Sequence, residues 1–104
     1  MSNNAVYYVS YKLKKGVSVP EFLLAAKKLN DEFISQQKGY VSWKQLVAGD
    51  DTWADLITFE TMDDLNNFKE VSENPSELAQ HFYSFINPMA KGSKLHIFSV
   101  EREY

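Results

Sequence analysis

The chain has 104 residues, 11 basic and 14 acidic side chains and a net charge of −3, with 44% hydrophobic and 14% aromatic residues. That supports one packed domain spanning 1–104 and is too short for two. The charge balance and the lack of a basic stripe argue against nucleic acid as a partner, and zero cysteines rule out disulfides, thiolate nucleophiles and Cys-ligated zinc. No apolar run reaches the roughly 18 residues of a membrane span, and MSNNAVYYV carries no signal-peptide pattern, so a soluble, cytoplasmic protein is expected.

In chain order, 5–14 reads as a first strand. Tyr7, Val9, Tyr11 and Leu13 fall on one face, and Val6, Tyr8, Ser10 and Lys12 on the other. Lys12, Lys14 and Lys15 at its end are the kind of lysines that deter edge pairing. Ser18 and Glu21 then form a capping box with Pro20 in the first turn, predicting a helix over 19–37. Its stripe is Phe22, Ala26, Leu29 and Phe33, Leu24 lies opposite, and Gly39 is expected as C-cap. Strand 40–48 puts Val41, Trp43 and Val47 on one face, and Gly49, Asp50, Asp51 and Thr52 turn it into strand 53–60. A helix over 62–71 follows, capped by Thr61 and Asp64. Asn74 as N-cap and Pro75 at N1 restart a helix over 75–87, with Leu78, Phe82, Phe85 and Ile86 as its stripe. The last strand covers 94–101, opening near Ser93. Gly16, Gly39, Gly49 and Gly92 all fall between elements, where positive φ is useful, and no two are close enough to cradle a phosphate.

The stretch WADLITFE, Trp53 to Glu60, is apolar on both faces, so this strand is expected to be covered on both sides. Asp55 interrupts the heavier face, between Trp53 and Ile57. A carboxylate there needs a partner, a raised pKa or a solvated pocket. The order β-α-β-β-α-β predicts an α+β, ferredoxin-like fold: a four-stranded antiparallel sheet with helices on one face. The other face also carries Val, Tyr, Leu and Phe, which predicts that a second copy of the chain packs on it.

That order, the aromatic hairpin running through WADLITFETMDDLNNF and the broken second helix ending HFYSFI resemble the dimeric α+β-barrel superfamily, and within it the antibiotic-biosynthesis-monooxygenase-like group. The resemblance covers essentially the whole chain. It implies a homodimer whose two sheets close a barrel, with a ligand cleft between sheet and helices in each subunit. Some members oxidise aromatic polyketides without metal or flavin, some degrade haem through an Asn, a Trp and a His, and others have no known activity. This chain has Asn4, Trp43, Trp53 and His81, but neither Trp opens the second helix, where that pattern would place it, so the triad is not carried over. His81 alone sits on a matching element.

The site candidates follow from chemistry. Asp55 and His81 are the candidate catalytic groups, each as a base or proton donor at an apolar wall. Against this, Asp55 could accept a structural hydrogen bond from Tyr8, Tyr11 or Lys44, and His81 could be an ordinary rim histidine. Trp43, Trp53 and Phe82 are the candidate substrate-binding residues, forming the wall of a pocket for a flat ligand, with plain core packing as the alternative. His96 alternates with Phe98 and Val100 and reads as a neutral core histidine. Two histidines make no metal site, and no cofactor is expected. The expected function is small-molecule binding in a homodimer, as a cofactor-independent monooxygenase acting on a flat aromatic substrate. A non-catalytic binding dimer and a haem-binding or haem-degrading protein with His81 as axial ligand remain alternatives.

Overall fold

Alternation along the strands decides which side chains meet the helices, and the pairing fixes it. The computed structural model describes residues 3–88 and 94–104. It contains β1 (Ala5–Leu13), α1 (Val19–Glu32), a 3₁₀ turn (Ile34–Gln36), β2 (Tyr40–Val47), β3 (Trp53–Phe59), α2 (Met62–Val71), α3 (Glu77–Tyr83), β4 (Ile86–Asn87) and β5 (Lys94–Ser99). The strand order is β2-β3-β1, and both β4 and β5 pair with the far edge of β1. All pairings are antiparallel, and β3 is internal. This is the α+β, ferredoxin-like arrangement with one strand more than the four expected.

Register places Val9 opposite Asp55, Tyr7 opposite Ile57 and Tyr11 opposite Trp53. These residues share the face packed against the helices, along with Trp43, Gln45, Leu95 and Ile97 from the flanking strands. Phe22, Phe59 and Leu65 are the largest fully buried side chains. The face away from the helices carries Val6, Tyr8, Leu56, His96 and Phe98, with Tyr8 in ring contact with both His96 and Phe98.

The caps at Ser18 and Thr61 form as the sequence implies: Glu21 N–H donates to Ser18 Oγ at 3.3 Å, and Asp64 N–H to Thr61 Oγ1 at 3.0 Å. Leu24 is exposed on α1. Several elements differ from expectation. Helix α1 stops at Glu32 because Phe33 leaves helical geometry (φ −135°, ψ −63°), and the chain turns so that Ile34, 4% exposed, fills the core instead of Phe33. Gly39 therefore does not cap α1. Helix α3 starts at Glu77 because the Ser76 hydroxyl, two residues after Asn74, accepts the Ala79 N–H. It ends at Tyr83 because the open edge of β1 captures the chain. Lys14 N–H donates to Phe85 O at 2.9 Å, and Ile86–Asn87 pair with Leu13 and Lys12. Ile86, expected on the helical stripe, is thus a strand residue. A register shift between Tyr40 and Ser42 also moves Val41 off the face of Trp43 and leaves it 46% exposed. In the hairpin the positive φ belongs to Asp51 (64°) rather than Gly49. Gly92 and Ser93 lie outside the described residues.

Gly39 does require its glycine. Its φ is +79°, and an added Cβ would overlap the carboxyl of the buried Asp64. Gly39→Ala is therefore expected to destabilise the fold by about 1–3 kcal/mol, read by urea unfolding, whereas Gly49→Ala should be near neutral.

Candidate functional site

Asp55 sits at the centre of the sheet because its neighbours put it there. Trp53 and Ile57 must face the helices, and a period of two carries Asp55 to the same side. The residue is 2% exposed, and the Tyr11 hydroxyl donates to its Oδ1 at 2.8 Å. Of the three donors considered from sequence, Tyr11 is the partner. Tyr8 and Lys44 lie on the opposite face.

Asp55 forms part of the wall of a cavity of about 360 Å³ between the sheet and the helices. Tyr7, Val9 and Tyr11 contribute from β1, Trp43 from β2 and Ile57 from β3. Leu29, Ile34, Phe68, Phe82 and Tyr83 close the helical side, and Asn87, Pro88, Lys94 and Leu95 border it at the sheet edge. The volume falls within the usual range for small-molecule sites, and most of the walls are apolar.

Burial pushes the Asp55 carboxyl up to about 6 from its ordinary 3.8, against the opposing pull of Tyr11, Trp43 and Gln45. Trp43 Nε1 and Gln45 Nε2 are buried donors without a well-formed hydrogen bond, yet both act on this carboxylate from nearby. Burial and the adjacent Asp55 push the Tyr11 phenol far above its usual range, so the shared proton stays on the tyrosine. Burial likewise raises Tyr7, helped by Tyr83 and Asp55, and raises Tyr83, helped by Asp55. At neutral pH the site is thus one carboxylate, two indole or amide donors and three protonated phenols in an apolar chamber.

The structure brings Asp55, Trp43 and Phe82 together. Trp43 meets Phe82 edge-on at 5.5 Å, and Phe82 stacks on Phe22 at 5.1 Å. Trp53 is not part of the cavity wall and instead packs edge-on against Phe22 at 5.2 Å. His81 is exposed on α3, its ring against Phe85, and does not reach the cavity. It lies on the rim side of the apolar arc, where helical geometry turns it outward. His96 is exposed on the open face of the sheet, with its ring stacked on Phe98, rather than buried in the core. Tyr7, Gln45 and Tyr83 were not singled out from sequence. Gln45 shares the Trp43 parity and Tyr7 the Tyr11 parity, so the β1–β3–β2 register was the missing signal. Among the described residues no group of three or more His, Asp or Glu could hold a metal ion, and no helix is long and apolar enough to cross a membrane.

No family model matches the chain, and no curated protein matches it by sequence. Solved structures do. SnoaB, a cofactor-independent oxygenase from Streptomyces nogalater, superposes with a TM-score of 0.73 at 13% identity, covering 98% of this chain and 97% of that one. A monooxygenase from Streptomyces coelicolor, in complex with nanaomycin D, gives 0.72 at 14% identity over 98% and 91%. A haem-degrading protein from Mycobacterium tuberculosis gives 0.63 at 12% identity over 100% and 98%. The chain therefore has the fold of the antibiotic-biosynthesis-monooxygenase-like proteins.

Proposed function

We propose that the protein is a cofactor-independent monooxygenase acting on a flat aromatic substrate, with Asp55 as its base. The observation that carries this reading is the buried Asp55 carboxylate on the wall of a 360 Å³ apolar cavity, its pKa raised to about 6. A base tuned toward neutrality in an apolar chamber suits proton removal from a phenol-type arene. The carbanion attacks O₂ at a ring carbon that bears hydrogen, forming a C–O bond, and the resulting peroxide takes up the proton held by Asp55. The O–O bond then breaks as that carbon loses its C–H proton and becomes a carbonyl, and the distal oxygen leaves as water with both protons. The likeness to SnoaB and to the Streptomyces coelicolor monooxygenase supports this chemistry. Trp43 and Phe82 form the aromatic wall against which a planar substrate lies. The test is oxygen uptake with hydroquinone-type arenes in the absence of added metal or flavin. Uptake that survives Asp55→Asn at full rate retires Asp55 as the base, and no uptake with any such arene retires the reaction.

Haem does not fit these side chains. His81 is exposed outside the cavity and His96 lies on the opposite face of the sheet, so neither imidazole reaches an iron placed there. Absence of a Soret shift on adding haemin is the matching outcome.

The assembly is a homodimer joined through the open face of the sheet. Phe98 and Leu46 remain 50% and 45% exposed there, beside Val6, Tyr8 and Leu56. A second copy covers this apolar surface with twofold symmetry. Leu56→Arg, which would bury an uncompensated charge in the contact, is expected to convert a sedimenting dimer into monomer at micromolar concentration. A wild-type monomer under those conditions ends the dimer reading.

A further inference from the structure

We propose that Tyr7 and Tyr83 form a hydroxyl pair that binds the oxygen of a neutral planar arene and turns that oxygen toward Asp55. The inference rests on the cavity being the ligand site and concerns what the site selects. Tyr7 stands on the sheet wall, its ring held edge-on by Phe68 at 5.6 Å. Tyr83 closes α3 on the helical wall, its ring against Phe82 at 5.7 Å. Both line the cavity, and each is close enough to Asp55 to sense its charge. Of the three phenols lining the cavity, the buried Tyr11 donates to Asp55, whereas the half-buried Tyr7 and the 47% exposed Tyr83 donate to no described residue.

Two hydroxyls on the sheet and helix walls, beside apolar rings and without a hydrogen-bond partner among the described residues, suit a ligand oxygen or the water it displaces. The charges decide which ligands qualify. The wall offers the Asp55 carboxylate and protonated phenols. Lys94, the one cation bordering the cavity among the described residues, pairs across from Ser10 on the other face of the sheet. An anionic ligand would meet the Asp55 carboxylate, with no cation beside that carboxylate among the described residues, so the site favours a neutral hydroxyl- or carbonyl-bearing arene.

Calorimetric titration with naphthol, methylnaphthalene (a methyl group in place of the hydroxyl) and naphthoate tests this on the intact protein. Wild type should bind naphthol more tightly than either of the others. The double variant Tyr7→Phe/Tyr83→Phe, which keeps both rings, should lose about tenfold in naphthol affinity and change less than about twofold for methylnaphthalene. Equal losses for both ligands, no loss for naphthol, no naphthol binding by wild type, or tighter binding of naphthoate would each overturn the proposal. Selective naphthol binding without oxygen uptake would sink the monooxygenase reading and leave this one standing.

Discussion

Asp55→Asn is expected to reduce turnover by about 10²–10⁴-fold and to gain stability relative to wild type as pH rises. The carboxyl sits at about 6 in the folded protein against an ordinary 3.8, so between those values the native state holds a proton that the unfolded chain has released. Wild-type stability therefore falls as pH rises through that window, is fully present below about pH 4, and is flat above about pH 7. The displacement corresponds to about 3 kcal/mol. Asparagine cannot ionise and escapes this loss, while its amide places an N–H₂ among the Tyr11, Trp43 and Gln45 donors at a cost that does not vary with pH. The measurable signature is thus a stability gap that widens by about 3 kcal/mol in favour of Asp55→Asn between pH 4 and 7. Urea unfolding across that range reads it directly. A gap that stays flat would show a carboxyl that titrates normally, with no case for a tuned base.

Phe22→Ala is expected to cost about 3–5 kcal/mol and to lower the melting temperature by about 15–30 °C. Phe22 is fully buried and ties α1 to α3 and to two strands of the sheet. Its ring stacks on Phe82 of α3 and meets Trp53 of β3 edge-on. It also contacts Tyr11 of β1 at 6.2 Å and Phe85 at 5.8 Å. Few small side chains can collapse into the vacated space, because those neighbours are themselves large rings held by other contacts. A loss below about 1 kcal/mol by calorimetry would mean that α1 and α3 close over the gap.

The sequence carried most of the architecture because caps and alternation are local. Ser18 and Thr61 marked two helix starts, and the apolar β3 stretch marked a strand internal to the sheet. Long-range competition decided the rest. Nothing near Ile86 says that the edge of β1 will draw it out of a helix, and nothing near Phe33 says that Ile34 will take its place in the core. Asp55 was legible as an anomaly, being a charge on an apolar face. The groups around it were not, because Tyr7, Gln45 and Tyr83 become its neighbours only through strand register and the docking of α3. His81 misled for the converse reason: an edge position on a helix stripe does not reveal on which side of the rim a ring falls.

One edge of β1 is shared by two strands, β5 over Ala5–Ser10 and β4 at Lys12 and Leu13, and the cavity reaches that junction through Asn87, Pro88, Lys94 and Leu95. The rim on this side is therefore set by main-chain pairing, while the floor and roof are set by side chains such as Trp43, Phe68 and Phe82. The two can drift separately over evolution. Substitutions on the floor can resize the chamber for a new guest while the strand-paired rim keeps its position, which makes the scaffold easy to diversify and gives a library design a natural division between residues to randomise and residues to leave alone.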